Sequence, residues 1–202
     1  MAVPRFATLT VTSPRLLSVF LEAARSLQCL CVPEYTTQVE KAINVLCDAF
    51  KAGNKLLVFG NGGSSADAQH ICGELLGRFV KERTGLPALA LCANQAVVTA
   101  WSNDYSFESV FARQVEALGR HGDVAWGIST SGNSPNVIAA LKAARTIGLH
   151  TVGLTSAPGN KMTPWCDVLM AAPGASTPRI QEAHVVTYHV ICARVEDLLF
   201  PS

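Results

Sequence analysis

The sequence predicts an α/β protein, with a parallel sheet covered by helices on both faces and an N-terminal helical hairpin ahead of it. Three patterns carry that prediction. From Lys55 onward, short apolar runs alternate with segments of helical period, the order expected of βα units. Two loops rich in Gly, Ser and Asn each follow an apolar run and open a helical segment. Ahead of Lys55, apolar residues recur only at helical spacing.

Residues 1–14 have neither a charged start nor a sustained apolar core, so they read as a flexible tail and not as a secretion signal. Residues 15–30 place Leu16, Leu17, Phe20, Leu21, Ala24 and Leu27 at helical spacing. Residues 37–51 do the same with Val39, Ala42, Ile43, Leu46, Cys47 and Phe50, and Pro33 separates the two segments. Residues 15–52 therefore form the hairpin, whose apolar faces and lack of loop chemistry suit packing on the domain and across a subunit boundary. The rest, residues 53–202, reads as one domain. Its strands are expected at 55–59, 88–92, 124–129, 151–155 and 167–171, and its helices at 65–79, 95–101, 107–118, 135–148 and 179–200.

Composition narrows the function. Charged residues are 15% of the 202-residue chain against 49% apolar, below the roughly 25% charged of an average soluble domain. The surplus of apolar surface predicts subunit interfaces. A net charge of +1 with scattered basic residues gives no footprint for nucleic acid or an anionic membrane. No apolar run approaches the ~18 residues of a membrane span. Seven cysteines without a CxxC pair read as small apolar fillers in a reducing cytoplasm.

The two loops carry the chemistry. Gly60-Asn61-Gly62-Gly63-Ser64-Ser65 follows the first apolar run. Its glycines allow a sharp bend and close approach to a ligand, while Ser64 and Ser65 are candidate caps of the following helix, whose first N–H groups suit an anion. In the second loop, Ser129-Thr130-Ser131-Gly132-Asn133-Ser134-Pro135-Asn136, hydroxyls and amides concentrate at another strand-to-helix junction, with Ser134 a candidate N-cap and Pro135 at the first helical position. Phosphate is the natural guest of both, because open α/β sheets bind ligands at the carboxyl ends of their strands.

On the helix after the first loop, His70 and Glu74 are four residues apart, so both project from one face within reach of one metal ion or one reacting carbon. Asp67, one turn earlier, is either a partner of His70 or an acid favoured by the helix dipole, and the dipole reading is preferred. Gln181 and His189 lie on the last helix, about 12 Å apart along its axis. Asn103 and Asp104 add a polar pair at the same sheet edge. Lys161 and Arg179 are the nearest cations for a phosphate.

Taken together, Gly60–Ser65, Asp67-Ala68-Gln69-His70 with Glu74, Gly77-Arg78-Phe79, Asn103-Asp104, Gly122-Asp123, the second loop and Arg179-Ile180-Gln181-Glu182-Ala183-His184 resemble the phosphoheptose isomerases of the sugar-isomerase (SIS) fold, over nearly the whole chain. The resemblance implies a flavodoxin-like sandwich, a cytoplasmic homotetramer, and conversion of sedoheptulose 7-phosphate to D-glycero-D-manno-heptose 7-phosphate on the way to bacterial surface polysaccharides. It implies one zinc ion per subunit held by His70, Glu74, Gln181 and His189. It also implies sugar-phosphate contacts at Asn61, Gly62, Gly63, Ser64, Glu74, Asn103, Asp104, Ser129, Thr130, Ser131, Ser134 and Gln181. Some members carry an Asp three residues before the glutamine, where this chain has Pro178, so no acid role can be carried over to that position.

Ketose–aldose interconversion moves a proton between C2 and C1 through an enediol, which needs a base, an acid and a group that steadies the developing oxyanion. Glu74 as base and His189 as acid suit those roles, with the metal polarising the carbonyl. The rival reading is a non-catalytic SIS protein that binds the replication initiator or senses a sugar phosphate. Such relatives of the initiator-binding kind lack a glutamate at the position of Glu74, which argues for the enzyme.

Overall fold

The computed structural model describes residues 14–201. The expected tail lies outside the described residues apart from Pro14, which opens helix α1 (Pro14–Gln28). The chain continues through α2 (Pro33–Lys51), β1 (Leu56–Gly60), α3 (Gly63–Leu76), β2 (Ala88–Ala90), α4 (Gln95–Asp104), α5 (Val110–Leu118), β3 (Val124–Ile128), α6 (Pro135–Ile147), β4 (His150–Thr155), β5 (Val168–Ala171) and α7 (Thr177–Leu199). A 3-10 turn, Phe107–Ser109, leads into α5, opened by the Ser106 hydroxyl, which accepts a bond from the Glu108 amide at 3.0 Å.

All strand pairs are parallel, in the order β2-β1-β3-β4-β5. Every residue of β1 and β3 is buried, as it must be in a sheet covered on both faces. Helices α2, α3 and α7 pack together on one face, while α5 and α6 cover the other. At Gly127 the α6 face comes so close that a Cβ would meet Val137 at 2.9 Å, so the helix can seat on β3 only over a glycine. Trp126, Phe59, Phe111, Leu46 and Ile71 fill the core on both sides of the sheet.

The N-terminal helices differ from the expected hairpin. They meet at an elbow of 70°, and α2 starts four residues earlier than expected. Pro33 is its first residue, where a missing N–H costs nothing, so Pro33 begins the second helix and does not merely separate the two. Helix α2 is core: Ala42 and Leu46 are fully buried, and the helix lies on the sheet beside α7. Helix α1 buries no residue and leaves Leu16, Leu17, Phe20 and Leu21 exposed. Arg179 Nη1 ties it to α7 through the Val19 carbonyl at 3.0 Å. Among the described residues no single helix is long and apolar enough to cross a membrane.

The end of α3 also departs from expectation. The helix stops at Leu76, three residues short, because Gly77 leaves helical geometry and the following segment is drawn onto α7. There the buried Glu196 carboxylate accepts from the backbone N–H groups of Phe79 (3.2 Å), Val80 (2.8 Å) and Lys81 (2.8 Å), and from Arg83 Nε at 3.0 Å. The Arg83 guanidinium donates in turn to the carbonyls of Glu74 (2.8 Å), Leu75 (2.7 Å) and Gly77 (3.1 Å), the orphan acceptors of the helix end. Burial alone would raise the Glu196 carboxyl, but these donors outweigh it and hold it below the usual carboxylate range.

All seven cysteines are free, and Cys47, Cys72, Cys92 and Cys192 are buried. Burial pushes the Cys72 and Cys192 thiols up to about 12, in keeping with their role as fillers. His184 is likewise buried, with Nε2 3.2 Å from the Thr155 carbonyl. Burial lowers it to about 4, so it stays neutral in the core.

Two measurements check this account. Glu196→Ala strands a buried guanidinium and three amides, and should cost about 3–5 kcal/mol in urea unfolding; a loss under about 1 kcal/mol would contradict the clamp. For His184 the folded value lies below the unfolded one near 6.5, so its contribution is intact above 6.5 and is lost as pH falls toward 4. The stability advantage of wild type over His184→Asn should shrink by up to about 3 kcal/mol between pH 7.5 and pH 4. A pH-independent difference between the two would exclude a neutral buried His184.

Candidate active site

The strand order reverses between β1 and β3, so the connections leaving their carboxyl ends diverge to opposite faces and open a crevice there. Gly60 of β1 pairs with Ile128 of β3, which brings the two Gly/Ser loops to that point side by side. A reciprocal amide pair fastens them: Asn61 Nδ2 donates to Asn136 Oδ1 at 2.8 Å, and Asn136 Nδ2 donates to Asn61 Oδ1 at 2.9 Å. Asn136 is buried and its Oδ1 also accepts from the Val137 amide at 3.0 Å. This pairing commits the Asn61 side chain to the scaffold.

In the first loop Gly62 is the N-cap of α3, with φ +55° that favours glycine, and no side chain caps the helix. Ser64 and Ser65, expected as caps, instead lie in its first turn, and Ser64 is buried. In the second loop Ser129 is the hub. Its Oγ lies 2.9 Å from Ser134 Oγ and 3.4 Å from Ser131 Oγ, and accepts from the Gly132 amide at 3.1 Å. Ser134 does hold the N-cap position of α6 ahead of Pro135, but its hydroxyl serves Ser129 and not the helix. Thr130 is half-buried, and Ser131 is exposed at the loop surface. Gly132 has φ +63°, and any Cβ there would run into Asn160, which ties this loop to the end of β4 through Thr155 at 3.0 Å.

The second cluster lies between α3 and α7, which run parallel and in step. Gln181 lies against Gly63 and Tyr188 against His70, each pair separated by the same 118 residues of chain. One turn along, His70 Nε2 sits 2.9 Å from Glu74 Oε1 and 3.4 Å from His189 Nε2. One ligand atom from each of the three residues falls within 4.8 Å of the others. Donors about 2.0–2.2 Å from a tetrahedral ion stand roughly 3.3–3.5 Å apart, so two imidazole nitrogens and a carboxylate at these separations fit a zinc-type centre with an open position. Edge-on ring contacts with Tyr188 and His189 hold His70, and Phe79 lies against His189 at 5.6 Å between ring centroids.

The remaining sequence candidates fall around this cluster. Gln181 lies against Gly63 at the N-terminal end of α3, about 10 Å up the helix axis from the His70 position by the 1.5 Å rise per residue. Asn103 and Asp104 end α4, exposed and bonded to each other at 2.9 Å. Arg179 is engaged by Glu182 at 2.7 Å, and Lys161 is exposed beside Asn133. Pro178 occupies the first turn of α7, where it starts the helix without losing a bond.

Asp67, read from sequence as an acid favoured by the helix dipole, has a more enclosed setting. It is buried in the second turn of α3, and desolvation pushes its carboxyl up to about 6 against the pull of His70 and of the Tyr188 hydroxyl. Tyr188, missed in the sequence reading, places its hydroxyl 2.9 Å from His70 Nδ1. No local pattern announces it, since its partner is 118 residues away. Asn136 was visible only as one more polar loop residue.

A sugar-phosphate class of protein is what this fold and site define: the SIS domain family matches residues 19–156. Among curated relatives, the phosphoheptose isomerase of Crocosphaera subtropica is 53% identical over 83% of this chain and 86% of its own. That of Synechocystis is 50% identical over 82% of this chain and 86% of its own. The solved phosphoheptose isomerase of Neisseria gonorrhoeae superposes with a TM-score of 0.83 at 40% identity, covering 91% of this chain and 97% of that one. The chain belongs to the phosphoheptose isomerase family and is an aldose–ketose isomerase.

Because Asn136 joins the two loops from a buried position, Asn136→Ala should cost about 1–3 kcal/mol in thermal unfolding. It should also raise KM for a phosphorylated substrate more than it lowers kcat. An unchanged KM would mean that the bridge is not what sets the spacing of the loops.

Proposed function

We propose that this enzyme converts sedoheptulose 7-phosphate to D-glycero-D-manno-heptose 7-phosphate, with the phosphate held by the two loops and the proton transfers made by Glu74 and His189. The observation that carries the reading is the grouping of His70, Glu74 and His189 on two helices that start at the same sheet edge as the loops. The similarity to phosphoheptose isomerases supports the substrate class.

The chemistry follows from the donor set. The Glu74 carboxylate takes the proton from C1, the C–H electron pair becomes the C1–C2 double bond, and His189 supplies the proton to O2, giving the enediol. Return of a proton to C2, with loss of the O1 proton, yields the aldehyde. Hydroxyls and amides of residues 129–134 and of the α3 N-terminus anchor the phosphate and so fix the distance from it to the reacting carbons. Zinc, held by His70, Glu74 and His189 when bound, supplies polarisation of the substrate carbonyl. A carboxylate firmly bound to a metal is a weak base, so Glu74 does its proton work where its coordination is loose. In the cytoplasm the enzyme acts as a homotetramer, a state supported by the apolar exposed face of α1, and serves bacterial surface-polysaccharide synthesis. Gln181 joins them as fourth ligand by reaching back along α7 or from a neighbouring subunit.

Glu74→Gln should keep the fold and lower turnover of sedoheptulose 7-phosphate by about 10²-fold or more. His70→Ala and His189→Ala should each lose stoichiometric zinc, measured by elemental analysis. Wild-type turnover in Glu74→Gln would remove Glu74 from the mechanism, and full activity after exhaustive chelation would remove the metal.

A further inference from the structure

The two nitrogens of His70 face different neighbours. Nε2 points at Glu74 and His189, and Nδ1 points at the Tyr188 hydroxyl, 2.9 Å away. A neutral imidazole carries one hydrogen, so Nε2 can offer its lone pair to an ion only if that hydrogen is on Nδ1. Nδ1–H then donates to the Tyr188 oxygen, and the hydroxyl hydrogen of Tyr188 must find another acceptor. One stands ready on the same helix: Asp67, one turn before His70, is buried and its Oδ2 is enclosed with no hydrogen-bond partner. An enclosed carboxylate oxygen without a partner is costly, and this arrangement satisfies it.

We propose that Tyr188, backed by Asp67, is a positioning residue that holds the His70 ring with its hydrogen on Nδ1 and its Nε2 lone pair aimed between Glu74 and His189. Asp67 accepts from Tyr188, Tyr188 accepts from His70 Nδ1–H, and His70 presents Nε2. This inference rests on the reading of His70, Glu74 and His189 as a metal centre, while the state of the His70 ring can be read with no metal bound. The Tyr188 ring lies edge-on against both His70 and His189, with centroids 5.3 Å and 4.9 Å away, so the same side chain packs the two imidazoles and presents its oxygen to His70 Nδ1. Tyr188 is 1% exposed and forms part of the α7 core face.

The test uses the full-length protein freed of metal, with Tyr188→Phe, Asp67→Asn and His70→Ala as variants. Each is checked for an unchanged melting profile before use. Titration with Co²⁺, followed by visible absorption, and with Zn²⁺ against a chromophoric chelator reads affinity. Nitrogen-15 NMR of the metal-free protein reads the His70 tautomer directly. Tyr188→Phe and Asp67→Asn should each weaken metal binding by about 10–100-fold at unchanged stoichiometry. The double variant should be little worse than the weaker single one, because both act through one chain of bonds. In wild type His70 should be the Nδ1–H tautomer, and Tyr188→Phe should move it toward Nε2–H or a mixture. If Tyr188→Phe binds Co²⁺ as wild type does while His70→Ala does not, the inference fails and the metal centre stands. If His70→Ala keeps wild-type affinity, the metal reading fails, and the tautomer measurement decides on Tyr188 by itself: an unchanged tautomer in Tyr188→Phe overturns the positioning role.

Discussion

The site depends on the in-step parallel run of α3 and α7. Both helices leave the carboxyl edge of a parallel sheet on the same face, so residues at equal depth meet: Gly63 with Gln181, His70 with Tyr188, and the chain just beyond α3 with Glu196. Slippage of one helix by a single residue would rotate its side chains by about 100° and send His189 away from His70. The Arg83–Glu196 clamp fixes the register from the far end. Buried ion pairs of this kind add little net stability over a hydrophobic replacement, but breaking one is costly. Its value here is positional, because Arg83 Nη2 bonds the carbonyl of Glu74 itself.

The loops answer to a different constraint. Strand order decides that β1 and β3 are neighbours whose connections part, and the crevice follows from that topology before any side chain is considered. Side chains then refine it. The Asn61–Asn136 pair sets the separation of the loops, and the Ser129 hydroxyl organises the second loop from within, leaving Ser131 and the backbone of the first loop outward. A ligand anchored there meets a surface whose hydrogen-bonding groups are already arranged, which lowers the ordering cost of binding.

Strand ends were legible from sequence to within one residue, and to within two for β2, because a strand buried on both faces must be continuously apolar. The ends of helices were harder. Pro33 reads equally as a break or as a first turn, and α3 ends where it does because of Glu196, far along the chain. His70 and Glu74 could be paired from their spacing on one helix, while His189, on another helix, entered through the resemblance of the motifs to a known family. Tyr188, Asn136 and the buried state of Asp67 were not, since each gains its role from a partner on another element. Local spacing carries no information about such partners. The hydroxyl of Ser134 shows the same limit at short range: its backbone position was right and its bond was not.

The 118 residues between His70 and Tyr188 also fix an order of events in the making of the protein. At about 5–20 residues per second, synthesis delivers α3 roughly 6–24 s before the part of α7 that completes it. Through that interval His70 and Glu74 sit on a helix that lacks its α7 neighbour and whose C-terminal carbonyls lack the clamp that Glu196 steadies. The three donors cannot converge on a nascent chain before translation has passed His189. The donor cluster is thus complete only once the whole sheet and its last helix are in place.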